Sequence, residues 1–333
     1  MGEITLMLIV IIILAVFFDY VNGFHDTANA IATSVATRAL TPRTAILMAT
    51  AFNFIGAFAG TAVAKTISAG LVDEQTTTQA IVAASLIGAI TWNLVTWYYG
   101  IPSSSSHALI GGLLGATLVA AGIGAFNVEG IINKVLIPMI TSPLVGFFGA
   151  LALVTVLLWL FFRSPRRRMT AVFRRLQVVS AGFMAFSHGS NDAQKTMGII
   201  TLALFSAGLI STTDVPWWVI VVSATALSLG TAVGGWRIMN TMGHRVTKLE
   251  PVDGFAAETT AASVILTAAH FGMPVSTTHV ISTAIMGVGT SRGVRGVRWG
   301  VARQILLAWI VTIPASGAVA ALAWYVLHLL GLG

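Results

Sequence analysis

The chain has 333 residues, of which 56% are hydrophobic and 9% charged, and its formal net charge is +7 at pH 7. Soluble domains carry about 25% charged residues, so this composition excludes an ordinary soluble protein and makes lipid the main solvent. The basic residues lie in short loops between apolar segments, which argues against a nucleic-acid partner, and the lack of cysteine excludes disulfides and thiolate metal sites.

The first half of the chain contains five apolar segments, the first of which is interrupted by polar residues. They cover residues 4–38, 43–64, 79–100, 107–124 and 131–162. A spanning helix needs about 20 such residues. The N-terminus has neither a basic region nor a small-residue cleavage site, which favours a first span over a removed signal peptide.

The polar residues of the first segment form the motif FFDYVNGFHDTANAIATS, which contains Asp26 and Asn29. An aspartate at membrane depth costs about 2.5–3.5 kcal/mol on insertion scales, so such residues usually face a cavity, a partner or an ion. Gly23 and the Asn/Asp residues predict a break in the helix. Carboxylates beside unwound carbonyls would form a cation site. The alternative is a structural joint between two helices.

The hairpin 79–124 turns at GIPSSSSHALIGG. Gly and Pro end the incoming helix, and the serines stand where the next helix begins. A helix N-terminus has unpaired N–H groups and a partial positive charge, so Ser104, Ser105 and Ser106 are predicted to line an anion site. The alternative is N-capping of an ordinary turn. His107, like His279 in the second half, is interpreted as a packed, hydrogen-bonded side chain.

An Arg-rich stretch, FFRSPRRRMTAVFRRL, joins the two halves. We interpret it as a topology anchor that also contacts anionic lipid head groups.

The second half repeats this order in segments 172–210 (again interrupted), 217–236, 255–272, 278–290 and 302–330. Its first motif, AFSHGSNDAQKTMGI, places Asp192 where the first half has Asp26. The same motif contains Asn191, Gln194 and Lys195. Matching motifs in both halves argue against a purely structural joint.

The second hairpin turns at GMPVSTTHVISTA, which repeats the pattern Gly-x-Pro-x-Ser-(Ser/Thr)-(Ser/Thr)-His. Ser276, Thr277 and Thr278 are therefore predicted to line a second anion site, and two facing sites suit a tetrahedral oxyanion. Glu258 lies about four turns before this tip and is predicted to take a proton or a cation.

The basic residues assign the sides of the membrane. One set of loops contains Arg38, Arg43, Arg163, Arg166, Arg167, Arg168, Arg174, Arg175, Arg237, Arg245, Lys248, Arg292, Arg295, Arg298 and Arg303, out of 18 Lys and Arg in all. The positive-inside rule places these loops in the cytoplasm and both termini outside. The halves then have the same element order in opposite orientations. The sequence predicts an all-α polytopic membrane protein, an inverted-topology repeat with broken helices and two helical hairpins. The repeats are residues 1–162 and 176–333, and 163–175 is the cytoplasmic linker.

NGFHDTANAIAT, HGSNDAQKTMGI, IPSSSSH, GFAAETTAAS and MPVSTTH resemble the signatures of the inorganic phosphate transporter (Pit/PiT) family, in its bacterial low-affinity branch. These motifs occur in the family's order over essentially the whole chain. The resemblance implies an inverted-repeat homodimer in the plasma or inner membrane that moves phosphate with a cation.

The resemblance also implies roles for single residues. Those expected to bind phosphate are Ser104, Ser105, Ser106, Ser276, Thr277, Thr278, Asn29, Asn191, Gln194 and Lys195. Those expected at the coupling cation are Asp26, Asn29, Asn191, Asp192 and Glu258. The chain departs from animal sodium-coupled members, which have Glu at the position of Asn53, and His25 replaces the Asn of the commoner Asn-Asp signature. Both departures leave H⁺ and Na⁺ open as coupling ions.

The predicted function is phosphate import by cation symport and alternating access, without a cofactor. The alternatives are a transporter of another oxyanion such as sulfate, an intramembrane enzyme and a channel. The chain has no His-Glu-x-x-His motif and no single activated serine, which argues against an enzyme. It also has no continuous polar stripe for a permanent pore. Whether phosphate travels as a metal complex stays open.

Overall fold

The structure is a computed structural model that describes residues 5–73 and 75–332. Its helices are α1 (Leu6–Ala36), α2 (Pro42–Gly56), α3 (Ala62–Ala69), α4 (Gln79–Tyr99), α5 (Ser105–Ala121), α6 (Val128–Ile131), α7 (Ile137–Leu160), α8 (Arg166–Ser206), α9 (Trp217–Val233), α10 (Trp236–Asn240), α11 (Pro251–His270), α12 (Thr277–Thr290) and α13 (Trp299–Leu329). These residues contain no strand, only an isolated bridge between Val72 and Phe126. The all-α prediction is confirmed. The predicted sides of the two chain ends concern residues outside the described ranges.

Four helical stretches in the described part of the chain are long and apolar enough to cross a membrane: α1, α4, Val128–Leu160 and α13. The pair Trp217–Val233 and Trp236–Arg245 would make a fifth, bent by 61° at its break. Large apolar side chains such as Leu6, 78% exposed, cover the outside of the bundle, as expected for contact with lipid. The prediction of a polytopic membrane protein is confirmed.

The helix breaks lie in the second element of each half, between α2 and α3 and between α9 and α10. The prediction of breaks at the polar motifs of 4–38 and 172–210 was wrong, because α1 and α8 continue as single helices through both motifs. Gly23 explains the error. A Cβ on Gly23 would overlap the backbone of α9 at Leu227 and Gly230, and a Cβ on Gly230 would overlap Tyr20. These glycines allow two helices to approach closely rather than ending one.

The two long helices α1 and α8 run antiparallel. Asn22 Nδ2 donates to Asp192 Oδ2 at 3.5 Å, and Thr37 Oγ1 donates to Gln177 Oε1 at 2.7 Å. Residue numbers therefore rise along α1 in the direction in which they fall along α8. Since these helices are the first elements of equivalent halves, the repeat is inverted, as predicted.

The first hairpin, α4–α5, lies along the first part of α1. Thr5 Oγ1 donates to Gln79 Oε1 at 3.0 Å near the start of both helices. At the other end of α4, the hydroxyl of Thr96 lies 3.0 Å from His25 Nε2. The hairpin therefore turns at the level of the polar motif of α1.

The second hairpin, α11–α12, has the same relation to α8. Ser180 Oγ donates to Glu258 Oε2 at 2.5 Å, and further along Asn191 Nδ2 donates to the carbonyl of Met273 at 3.3 Å. Both hairpins thus turn at the polar motifs, one from each end of the bundle.

The two halves exchange elements. The broken helix of each half packs against the long helix of the other: α9 on α1, and α2 and α3 on α8. In the same way α7 packs on α11 and α12, and α13 on α4 and α5. Residues 166–175 of the predicted linker form the beginning of α8. Each repeat is therefore continuous in the sequence, whereas each group of packed helices contains helices from both halves.

Candidate functional site

A buried polar centre forms where α1, α8 and the two hairpin tips meet. Gly100 and Gly272 turn the tips, with φ of 65° and 68°, a conformation that glycine adopts without steric cost. The tips touch, since Ser106 Oγ donates to the carbonyl of Val275 at 3.1 Å. Two helix N-termini, those of α5 and α12, therefore open into the same region.

Two of the predicted hydroxyl ligands are N-caps. Ser104 Oγ accepts from the backbone N–H of His107 at 3.1 Å, and Ser276 Oγ accepts from that of His279 at 3.2 Å. The N-capping alternative thus describes these two serines in this structure. The other predicted hydroxyls of the tips, those of Ser105, Ser106, Thr277 and Thr278, do not cap a helix.

Asp26 collects hydroxyls from both tips. Ser105 Oγ donates to its Oδ2 at 2.6 Å, and Thr278 Oγ1 donates to its Oδ1 at 3.3 Å. His25 Nδ1 lies 2.7 Å from Oδ1. The side chain of Asp26 is 2% exposed. The carboxylate predicted for a cation and the hydroxyls predicted for an anion are therefore in direct contact.

Asn29 extends this cluster by one turn of α1. Its Nδ2 donates to Thr278 Oγ1 at 2.9 Å and to Thr277 Oγ1 at 3.3 Å. Its Oδ1 is buried without a hydrogen-bond partner. Because buried polar atoms are usually paired, this oxygen is available to accept a hydrogen bond from water or a ligand.

Asp192 is the centre of the matching cluster on α8. Lys195 Nζ donates to its Oδ1 at 2.5 Å, and His188 Nε2 lies 3.3 Å from its Oδ2. Asn22 of α1 donates to the same Oδ2. All four side chains are fully buried. Removing one partner of such a buried ion pair strongly destabilises the protein, because the other charge stays buried without compensation.

The two clusters meet at a group that could hold a cation. Asp26, His188 and Asp192 each offer one ligand atom, and these atoms lie within 4.8 Å of one another. His188 Nδ1 lies 3.0 Å from Asn53 Oδ1, which turns the other ring nitrogen towards Asp192. Two buried carboxylates this close repel each other, and a bound cation or proton relieves the repulsion.

Two other predicted site residues, Gln194 and Asn191, have partners of their own. Gln194 Oε1 accepts from the backbone N–H of Val63 at 2.8 Å and so caps the start of α3. Asn191 reaches the second tip through its Nδ2 but leaves its Oδ1 without a partner.

Glu258 lies in a separate buried network. Thr33 Oγ1 and Ser180 Oγ each donate to it at 2.5 Å, and Gln177 Nε2 donates at 3.1 Å. None of its hydrogen bonds leads to Asp26 or Asp192. The structure therefore does not bring Glu258 into the carboxylate pair.

Four side chains without a predicted site role complete the centre: His25, His188, Asn22 and Asn53. The first three share the polar motifs of Asp26 and Asp192, and that shared position was an available signal. Asn53 stands alone in an apolar segment, where it also donates from Nδ2 to Thr231 Oγ1 at 2.9 Å. Only the packing of α2 against α8 and α9 shows that it orients His188.

A family profile described as the phosphate transporter family matches the chain at residues 22–171 and again at 163–320. The probable low-affinity inorganic phosphate transporter of Bacillus subtilis (strain 168) is 47% identical over 333 residues, which cover 99% of this chain and 100% of the relative. A protein of the same description from Rhizobium meliloti (strain 1021) is 49% identical over 321 residues, 96% of each chain.

One solved structure is similar over almost the full length. It is described as the sodium-dependent phosphate transporter, with a TM-score of 0.86 and 27% identity, covering 98% of this chain and 100% of that one. The similarity extends over both halves of the bundle.

Proposed function

Since this chain belongs to the phosphate transporter family and carries phosphate rather than catalysing a reaction, we propose that it is a symporter that imports phosphate together with a cation. One observation supports this most: the hydroxyls of both hairpin tips donate to Asp26. A cation bound at the carboxylate and an anion bound at the hydroxyls would share these contacts. Each would then change the affinity for the other.

Phosphate would bind between the tips. Ser105 and Thr278 turn from Asp26 to the phosphate oxygens, Ser106 and Thr277 add hydroxyls, and the N-termini of α5 and α12 add their partial positive charge. A protonated phosphate oxygen can donate a hydrogen bond to Asp26. Sulfate has no such proton at neutral pH, so its oxygen would face the carboxylate unpaired. This contrast supports phosphate over the sulfate alternative.

The coupling cation would lie among Asp26, His188 and Asp192. Two features favour a proton over Na⁺. The carbonyls of the unbroken helices α1 and α8 are engaged in helical hydrogen bonds, which makes them poorer cation ligands than the free carbonyls of an unwound segment. Each carboxylate also has a basic partner on its own helix, His25 for Asp26 and Lys195 for Asp192. The solved relative is described as sodium-dependent, so sodium is the competing ion.

Purified protein in proteoliposomes tests this proposal. Labelled phosphate should accumulate when the interior of the vesicles is made alkaline. An imposed sodium gradient without a pH gradient should cause little accumulation. Accumulation on the sodium gradient alone would make sodium the coupling ion. Accumulation on neither gradient would contradict symport.

The hydroxyl assignment predicts a separation between binding and capping. Ser105→Ala and Thr278→Val should each weaken phosphate binding about tenfold, the loss of one hydrogen bond to a charged group. Ser104→Ala removes an N-cap and should instead lower stability by about 1 kcal/mol, with a smaller effect on affinity. Phosphate binding and thermal unfolding of the purified variants measure both quantities. Equal loss of affinity in all three variants would contradict the separation.

We propose a plasma or inner membrane location with the Arg-rich linker in the cytoplasm, supported by the positive-inside count. Because the chain has no cysteine, Arg167→Cys and Asp214→Cys can be labelled singly with an impermeant thiol reagent. Only the second should react in intact cells, and the reverse would overturn the orientation. The predicted homodimer follows from the family resemblance alone, and size-exclusion light scattering tests it.

A further inference from the structure

Asp19 lies on α1 seven residues before Asp26, outside the residues given a role above. Its side chain is 0% exposed, and neither carboxylate oxygen has a hydrogen-bond partner. An ionised carboxylate in such a place is very unfavourable, and a buried acid commonly takes a proton or a cation instead. Packing alone therefore does not account for an aspartate at this position.

The surroundings of Asp19 are polar on the side that faces α8. The amide of Asn22 and the hydroxyl of Thr196 lie beside its carboxyl without meeting hydrogen-bond geometry, and the charges of Asp192 and Lys195 are close enough to act on it. Asn22 Oδ1 and Thr196 Oγ1 are also buried without a partner. The helices α4 and α9, which pack against α1 as well, contain no Asp, Glu, Lys, Arg or His. The charged groups that face Asp19 are thus those of the α8 cluster.

The spacing connects Asp19 with the centre. Asp19, Asn22 and Asp26 stand at i, i+3 and i+7, which places them on one face of α1. Asn22 also donates to Asp192. Along the axis, Asp19 is about 10 Å from Asp26, towards the start of α1. The distribution of basic residues predicts that this end of α1 is extracytoplasmic.

We propose that Asp19 is a second cation-binding residue, which takes a proton from the extracytoplasmic side and passes it to the Asp26–Asp192 centre. The inference rests on the proposed symport. In the transfer, the O–H bond of the Asp19 carboxyl breaks and an O–H bond forms on the carboxylate of Asp192. Asp19 is left ionised until it takes the next proton. A proton suits this position better than Na⁺, because the nearby Lys195 ammonium repels a second full cation.

The test separates movement of phosphate from coupling to the proton. Proteoliposomes with equal phosphate on both sides report exchange, and a pH gradient reports accumulation. Asp19→Asn should keep exchange within about twofold of the unchanged protein and lose accumulation by about a hundredfold, the scale contributed by a positioned proton-transfer group. Asp19→Glu should restore part of the accumulation. Asp214→Asn is the matched control, since this exposed carboxylate is paired with Lys65 at 2.8 Å, which holds the pKa of Asp214 below its ordinary value.

Each outcome decides the inference. Normal accumulation by Asp19→Asn would overturn it, and so would equal loss of exchange and accumulation without rescue by Asp19→Glu, which indicates a structural role. If Asp19→Asn does not insert into the membrane, Asp19→Glu decides by itself. A proton relay requires the pH dependence of phosphate accumulation by Asp19→Glu to be shifted from that of the unchanged protein. The unchanged protein distinguishes failure of the proposed symport from failure of the Asp19 relay. If it does not accumulate phosphate on a pH gradient, proton symport itself is contradicted.

Discussion

Asp192→Asn is expected to abolish phosphate uptake while the protein still inserts into the membrane. The substitution removes one of the two carboxylates that we propose hold the coupling cation. It also leaves the ammonium of Lys195 buried without its counter-ion, whose present distance is 2.5 Å. Breaking a buried pair in this way costs about 3–5 kcal/mol, so lower stability would accompany the loss of transport.

A second substitution separates the two effects. In Asp192→Asn/Lys195→Met the unpaired ammonium is gone, so much of the stability should return while uptake stays absent. Uptake into proteoliposomes and thermal unfolding of the detergent-purified protein measure the two quantities. Normal uptake by the single variant would contradict the assignment of Asp192 to the cation. Recovery of uptake in the double variant would make Asp192 a structural partner of Lys195.

Asp26→Asn is expected to change which oxyanion binds. In the proposed site a carboxylate faces the phosphate, so a ligand that can donate a hydrogen bond is preferred. Sites built around a substrate hydrogen bond discriminate against an analogue without it by about 10⁴–10⁵-fold. With Asn at position 26, the amide can donate to an oxyanion, and sulfate should begin to compete for binding.

Competition binding on purified protein measures this change. A large excess of sulfate should leave phosphate binding to the unchanged protein intact and should displace phosphate from Asp26→Asn. Asp214→Asn, which changes an exposed carboxylate paired with Lys65, should behave as the unchanged protein does. Unchanged exclusion of sulfate by Asp26→Asn would show that this carboxylate does not face the substrate.

The hairpins and the inversion were predictable from local signals. A Gly-x-Pro followed by hydroxyl residues marks the end of one helix and the start of the next, and the structure turns both tips there. The inversion followed from the distribution of arginines between loops. This distribution can be read from the sequence without knowledge of tertiary contacts. The antiparallel contacts of Asn22 and Thr37 with α8 agree with it.

The continuity of α1 was not predictable from local signals. Glycine beside Asn and Asp favours a helix end in an isolated segment. Here Gly230 of α9 packs against Gly23, and this contact involves residues that are distant in the sequence. The same limit applies to the site. The motifs suggested separate places for a cation and an anion, and only the fold brings Ser105 and Thr278 to Asp26.

If one cluster binds both ions, the affinity for phosphate must depend on the binding of the cation. We would measure the phosphate dissociation constant of the purified protein as a function of pH, with Asp26→Asn as the control for titration of phosphate itself. A proton taken up on Asp192, while Asp26 stays ionised, lowers the negative charge of the pair that repels phosphate. Phosphate should therefore bind more tightly to the native protein as the pH falls, beyond any trend in Asp26→Asn. Identical pH profiles for the two proteins would contradict a shared site.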